Sequence, residues 1–203
     1  MKKQLLMSSL IVAASALSFS AHATNLDYNT MSVSYSTVEI DDSNLDLSGV
    51  SVSGSKLLTD NVFVGATFSS RGDDVNYCYY RCDDIEVTHT QISLAAGYRH
   101  ELTNSTDIYA AVGYASVDYE LKYDGYEDNG DDSGHLLNLG IRSLLTDNIE
   151  FLGSIGMVDI GDESETSVDV GLAYHINDRF TVGASIDKSE DSSGYAISAR
   201  YNF

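Results

Sequence analysis

From Asn29 onward, apolar and polar residues alternate at a period of two along nearly the whole chain. That period places successive side chains on opposite faces of an extended strand, and a helix with 3.6 residues per turn cannot use it. Ten segments carry the pattern: 30–40, 45–57, 62–71, 85–100, 106–121, 133–144, 149–160, 165–175, 180–189 and 194–203. The last is the clearest, with Tyr195, Ile197, Ala199, Tyr201 and Phe203 on one face and Gly194, Ala196, Ser198, Arg200 and Asn202 on the other. The 203 residues contain no proline, which suits a fold built from continuous hydrogen-bonded ladders. The chain is therefore expected to be all-β.

The connections alternate in kind. One set is short and self-similar: Leu58-Thr59-Asp60-Asn61, Leu102-Thr103-Asn104-Ser105, Leu145-Thr146-Asp147-Asn148 and Ile176-Asn177-Asp178-Arg179. Asp and Asn suit tight turns because their side chains bond the local backbone. The other set, around 41–44, 72–84, 122–132, 161–164 and 190–193, is mostly longer and rich in Asp and Glu. Short turns at one end and longer loops at the other are the asymmetry of a membrane barrel. The polar face is made of small Ser, Gly and Ala, as a narrow lumen requires. Tyr recurs where interfacial girdles would lie: Tyr98, Tyr174 and Tyr201 near the turns, and Tyr35, Tyr114 and Tyr195 toward the loops. These observations favour a closed antiparallel up-and-down transmembrane β-barrel over a soluble sandwich, with about ten strands and eight as the alternative.

The first segment has a different character. Lys2 and Lys3 precede an apolar stretch from Leu5 to Phe19, which ends in Ala21-His22-Ala23. This is the plan of a secretory signal peptide. It divides the chain into 1–23, removed on export, and 24–203, the barrel domain. The whole chain carries a formal charge of −20. A nucleic-acid partner is excluded by that balance, since phosphates call for Lys and Arg.

The stretch from Tyr195 to Phe203, apolar at every second position and ending on Phe, resembles the C-terminal signal of bacterial outer-membrane barrels, with Tyr201 and Phe203 as its assembly residues. Together with the export segment and the five hairpins, it makes the mature chain similar to the small OmpA/OmpX-like, porin-like superfamily of Gram-negative bacteria. It departs from OmpA in having ten strands and no peptidoglycan-binding domain after Phe203. The resemblance implies a bacterial outer membrane, contact with membrane lipid and lipopolysaccharide, delivery by the barrel-assembly machinery, and a monomer without cofactor. The function it implies is a structural or surface-interaction protein with acidic extracellular loops and a plugged lumen. A small, weakly cation-selective channel is the alternative. An outer-membrane enzyme of the protease or lipid A-modifying type is the second.

Four groups of residues are candidates for chemistry. Arg99, Arg142 and Arg200 should face Glu150, Asp169 and Asp187 inside the lumen as one charge network, because buried charges need partners. Cys78 and Cys82 should form a disulfide in the exported protein. The acidic run with Asp124, Glu127, Asp128, Asp131 and Asp132 is a candidate loop for divalent cations, although its spacing is not that of an EF-hand. No dedicated metal site is expected. For the enzyme reading, His89, Asp187 and His135 lie toward the loop end, while His100 and His175 lie at the turn end. No Gly-x-Ser-x-Gly or His-Glu-x-x-His occurs, so no catalytic residue is assigned.

Overall fold

The computed structural model describes residues 26–41, 43, 45–78, 82–123, 126–161 and 163–203, with side chains described outside 75–78 and 82–85. Ten strands follow one another: β1 (Thr30–Ile40), β2 (Asp46–Leu57), β3 (Val62–Cys78), β4 (Cys82–Thr103), β5 (Thr106–Tyr123), β6 (Tyr126–Leu144), β7 (Ile149–Ile160), β8 (Glu163–His175), β9 (Phe180–Ser189) and β10 (Ser192–Asn202). Each pairs antiparallel with the next, and β1 pairs with β10 to close the barrel. The sequence expectation of ten strands holds, and eight does not.

The repeated turns are repeated structures. Leu58, Leu145 and Ile176 each donate a backbone N–H to the carbonyl four residues on, at 2.8–2.9 Å. Within each turn a side-chain oxygen accepts from two backbone N–H groups: Thr59 from Asn61 and Val62, Thr146 from Asn148 and Ile149, and Asn177 from Arg179 and Phe180. The turns also clamp the neighbouring hairpin. The Asn61 amide donates to the Arg99 carbonyl, and the Asn148 amide to that of His175. This explains why Thr and Asn recur there: each satisfies backbone groups that a tight turn leaves unpaired.

Two connections differ from expectation. Segments 72–84 and 122–132, read from the sequence as loops, are largely ladder. The β3–β4 pairing continues to Cys78 opposite Cys82, and the β5–β6 pairing to Tyr123 opposite Tyr126. The β5–β6 ribbon is wet on both faces, with the successive residues Glu127, Asp128 and Asn129 all exposed. It has no reason to alternate in polarity, so its sequence carries no period-two signal while its backbone pairing continues.

Along the belt of the barrel, the outward face carries Met31, Val33, Val52, Phe68, Ile92, Leu94, Val170, Leu172 and Ile197, all exposed. The inner wall of β1 and β2 is a run of hydroxyl rungs: Thr30 with Ser55 at 3.2 Å, Ser32 with Ser53 at 2.6 Å and Ser34 with Ser51 at 3.0 Å. Toward the loop end this polarity inverts. Val38, Ile40, Leu47, Val87, Val117, Val158 and Ile160 are buried inside, while their neighbours Glu39, Asp46, Glu86, Asp118 and Asp159 face out and are exposed. Above the apolar belt the barrel is built like a soluble protein, with an apolar interior and a charged exterior.

Three inward rings lie against glycines directly opposite them: Phe63 on Gly97, Tyr109 on Gly140 and Tyr119 on Gly130. A Cβ on any of these glycines would fall 2.3–2.4 Å from the nearest ring carbon. Glycine is required there because the ring occupies the volume a side chain would need, which also fixes the strand register.

Candidate functional site

A solute crossing this barrel would pass through its lumen, and among the described residues charged side chains fill the lumen from the turn end upward. At the floor, Glu150 on β7 is fully buried and accepts from Arg142 Nε at 2.7 Å and Nη2 at 2.5 Å, both on Oε1. Its Oε2 accepts from Arg200 Nη2 at 3.0 Å. His175 Nε2 lies 3.4 Å from the same oxygen, and His175 Nδ1 bonds Thr181 Oγ1 at 2.9 Å. One carboxylate thus draws together residues of β6, β7, β8, β9 and β10. Neighbouring it, Arg99 Nη1 meets Asp107 Oδ2 at 3.0 Å and also donates to the Leu26 carbonyl. The Tyr28 ring fills the space between, with the Arg99 and Arg142 guanidiniums 5.1 and 4.8 Å from its centroid. Phe63 packs behind it, tilted by 37° with the ring centroids 5.1 Å apart. The segment Leu26–Tyr28, just before β1, is therefore folded into the floor, and both Leu26 and Tyr28 are buried.

A second tier lies higher. Asp169 on β8 is the register partner of Asp187 on β9, and Asp187 interacts electrostatically with Arg71 on β3. Arg71 donates from Nε to Ser36 Oγ at 2.8 Å. Buried His89, Gln91 and Asn138 line the lumen as well. Above this tier, on β1, β2 and β4, lies an apolar cluster of Ile40, Leu47 and Val87.

The six residues expected to form one network therefore fall into three groups. Glu150 does gather Arg142 and Arg200. Arg99 instead pairs with Asp107, while Asp187 sits with Arg71 and Asp169 lies opposite Asp187. Arg71 and Glu165, at the ends of the expected strands 62–71 and 165–175, are both buried. Both occupy inward positions of their strands, a parity that the expected boundaries at 71 and 165 obscured. His175 lies at the turn end, where the sequence assigns it no role. Its place beside Glu150 follows from inward parity and from the register of β8 against β7.

The enzyme constellation does not assemble. His89 and Asp187 are buried, whereas His135 faces outward, opposite Asp159 across β6 and β7. The acidic run is split by its ladder. Glu127 opposes Lys122, Asp128 opposes Leu121, and Asp131 opposes Asp118, so successive carboxylates point to opposite faces. Asp124 lies outside the described residues. Among the described residues no group of three or more His, Cys, Asp or Glu is placed to hold a metal ion. On the exposed ribbon, Lys122 Nζ lies 2.7 Å from Glu120 Oε1; the hydrogen bond holds the Glu120 carboxyl below its ordinary range and the Lys122 ammonium above its own. The backbones of Cys78 and Cys82 face each other, and their side chains lie outside the described residues. Residues 1–23, read as a signal peptide, also lie outside them.

The family model of the outer membrane protein beta-barrel domain matches residues 8–175. The chain belongs to that family. The family places this barrel in the bacterial outer membrane. Among solved structures, the NanC porin covers 85% of this chain and 100% of its own, with a TM-score of 0.54 and 8% identity. OprG of Pseudomonas aeruginosa covers 90% and 99%, at 0.49 and 13%. Ail of Yersinia pestis, in complex with the heparin analogue sucrose octasulfate, covers 86% and 95%, at 0.47 and 10%. At such identities the likeness concerns the fold alone. No curated protein matches the chain.

Proposed function

We propose that this outer-membrane barrel is a plugged structural or surface-interaction protein, whose working surface is the acidic outer end rather than a pore. The observation that carries the reading is the floor, where Tyr28 lies between two guanidiniums and Glu150 ties Arg142 to Arg200. A solute would have to break buried ion pairs to pass, at a cost of several kcal/mol. Above the floor, an apolar cluster of Ile40, Leu47 and Val87 lies on the inner side of β1, β2 and β4. Outside, the β5–β6 ribbon presents Asp118, Glu120, Glu127, Asp128 and Asp131 to solvent. Such a surface favours cationic partners and divalent ions, and it keeps the outer end soluble.

The reading includes export by residues 1–23, insertion by the assembly machinery acting on Tyr201 and Phe203, and a monomeric barrel in contact with lipopolysaccharide. The intact mass of the membrane form should begin at Thr24, and any longer mature chain would refute that boundary. The plug is tested by single-channel recording in planar bilayers. No steady conductance is expected. Steady cation-selective openings would overturn the plugged reading in favour of a narrow channel.

A further inference from the structure

We propose that the outer wall of β1–β4 carries a binding site for one anionic phospholipid of the periplasmic leaflet, with Lys56 as its phosphate anchor. The wall is indented there. A groove of about 660 Å³ runs across the strands, walled by Met31, Phe68, Leu94 and Phe203 and based on Gly54 and Ala66. Gly54 occupies an outward position between Val52 and Lys56, and a Cβ built on it meets only the Thr30 carbonyl oxygen, at 3.6 Å. The gap is therefore not filled from within the barrel. It lies on the lipid-facing surface, so acyl chain fills it.

An apolar indentation alone does not select a lipid, because acyl chains are as apolar as the side chains around them. Selection comes from Lys56, which lines the same groove at its turn end. Lys56 is exposed and makes no hydrogen bond or ion pair within the described residues. The other turn-end cations on the strands, Arg99, Arg142 and Arg200, are buried in the floor and committed to Asp107 and Glu150. From Lys56 to Val52 the strand runs about 13 Å, at about 3.3 Å per residue. This distance takes the groove from the headgroup level well into one leaflet, whose hydrocarbon is about 15 Å deep. A long Lys stem reaches the interface while its ammonium meets a phosphate. The site depends on barrel orientation, not on whether the lumen is plugged.

Native mass spectrometry of the barrel released from nanodiscs containing phosphatidylglycerol and phosphatidylethanolamine tests the proposal. One phosphatidylglycerol should be retained per barrel. Lys56→Gln should reduce that retention about five-fold, the equivalent of about 1 kcal/mol for one Lys at a membrane surface. Gly54→Leu, which fills the groove and keeps the charge, should reduce it as well. Lys188→Gln, whose ammonium is 2.7 Å from Asp41 at the loop end, should change nothing. Slower migration after boiling on detergent gels confirms that each variant is folded. Retention unaffected by Lys56→Gln in a folded barrel would overturn the proposal. Equal retention of phosphatidylethanolamine, or a second copy of the chain in place of lipid, would do the same.

Discussion

Replacing Glu150 with Gln removes one charge from the centre of the floor and leaves the volume nearly unchanged. In the native barrel that carboxylate accepts two bonds from Arg142 and one from Arg200, all with buried partners. Charge-assisted bonds of this kind contribute about 1.5–3 kcal/mol each, although bonds sharing one acceptor group do not add independently. Gln can still accept on its carbonyl oxygen. It leaves two buried guanidiniums without a counter-charge, however, and losing one partner of a buried pair costs about 3–5 kcal/mol. A destabilisation of about 4 kcal/mol follows. With a urea slope of about 2 kcal/mol/M, the unfolding midpoint in lipid vesicles should fall by about 2 M. The triple change Arg142→Leu, Glu150→Leu and Arg200→Leu removes charge and counter-charges together, and should cost far less than Glu150→Gln alone. A Glu150→Gln barrel with an unchanged midpoint would refute the argument. It would mean that water, not the carboxylate, solvates the arginines, and that the floor is wet.

Two further outcomes test other parts of the molecule. Gly97→Ala should destabilise by about 1–3 kcal/mol, because its Cβ would strike the Phe63 ring at 2.3 Å. Gly54→Ala, into open space, should cost less than about 1 kcal/mol in the same assay; equal effects would show that backbone entropy, not the ring, dominates. Cys78 and Cys82 stand opposite each other at the tip of the β3–β4 ribbon. As a disulfide they should resist maleimide until reduced, and labelling of the exported protein without reductant would disprove the bridge.

The fold was legible in the sequence wherever the two faces of a strand meet different solvents. Lipid outside and a tight polar lumen inside impose period two, so Met31, Val33 and Tyr35 could be set against Ser32, Ser34 and Ser36 without coordinates. The self-similar Thr-Asp-Asn turns were legible for a related reason, since their side chains act on backbone groups within a few residues. Beyond the lipid the contrast first inverts and, on the outermost part of the β5–β6 ribbon, is lost. The extended ribbons of β3–β4 and β5–β6 could not be distinguished from loops.

Pairing inside the lumen was legible only in part: Arg142, Arg200 and Glu150 do meet, but the partners of Arg99, Asp169 and Asp187 were not to be read from the sequence. The sequence supplied inward charges with nearly balanced signs, but which arginine meets which carboxylate depends on strand tilt and register around a closed circle. Glu150 gathers Arg200 from a strand 50 residues away, Arg99 turns to Asp107, and Arg71 lies buried with Asp187 although its neighbours in sequence belong to the rim. The placement of Leu26–Tyr28 in the floor is likewise a tertiary fact, because nothing periodic precedes Thr30. Alternation along a strand is a local property that the chain determines by itself. Contacts across the lumen exist only once β10 has closed onto β1.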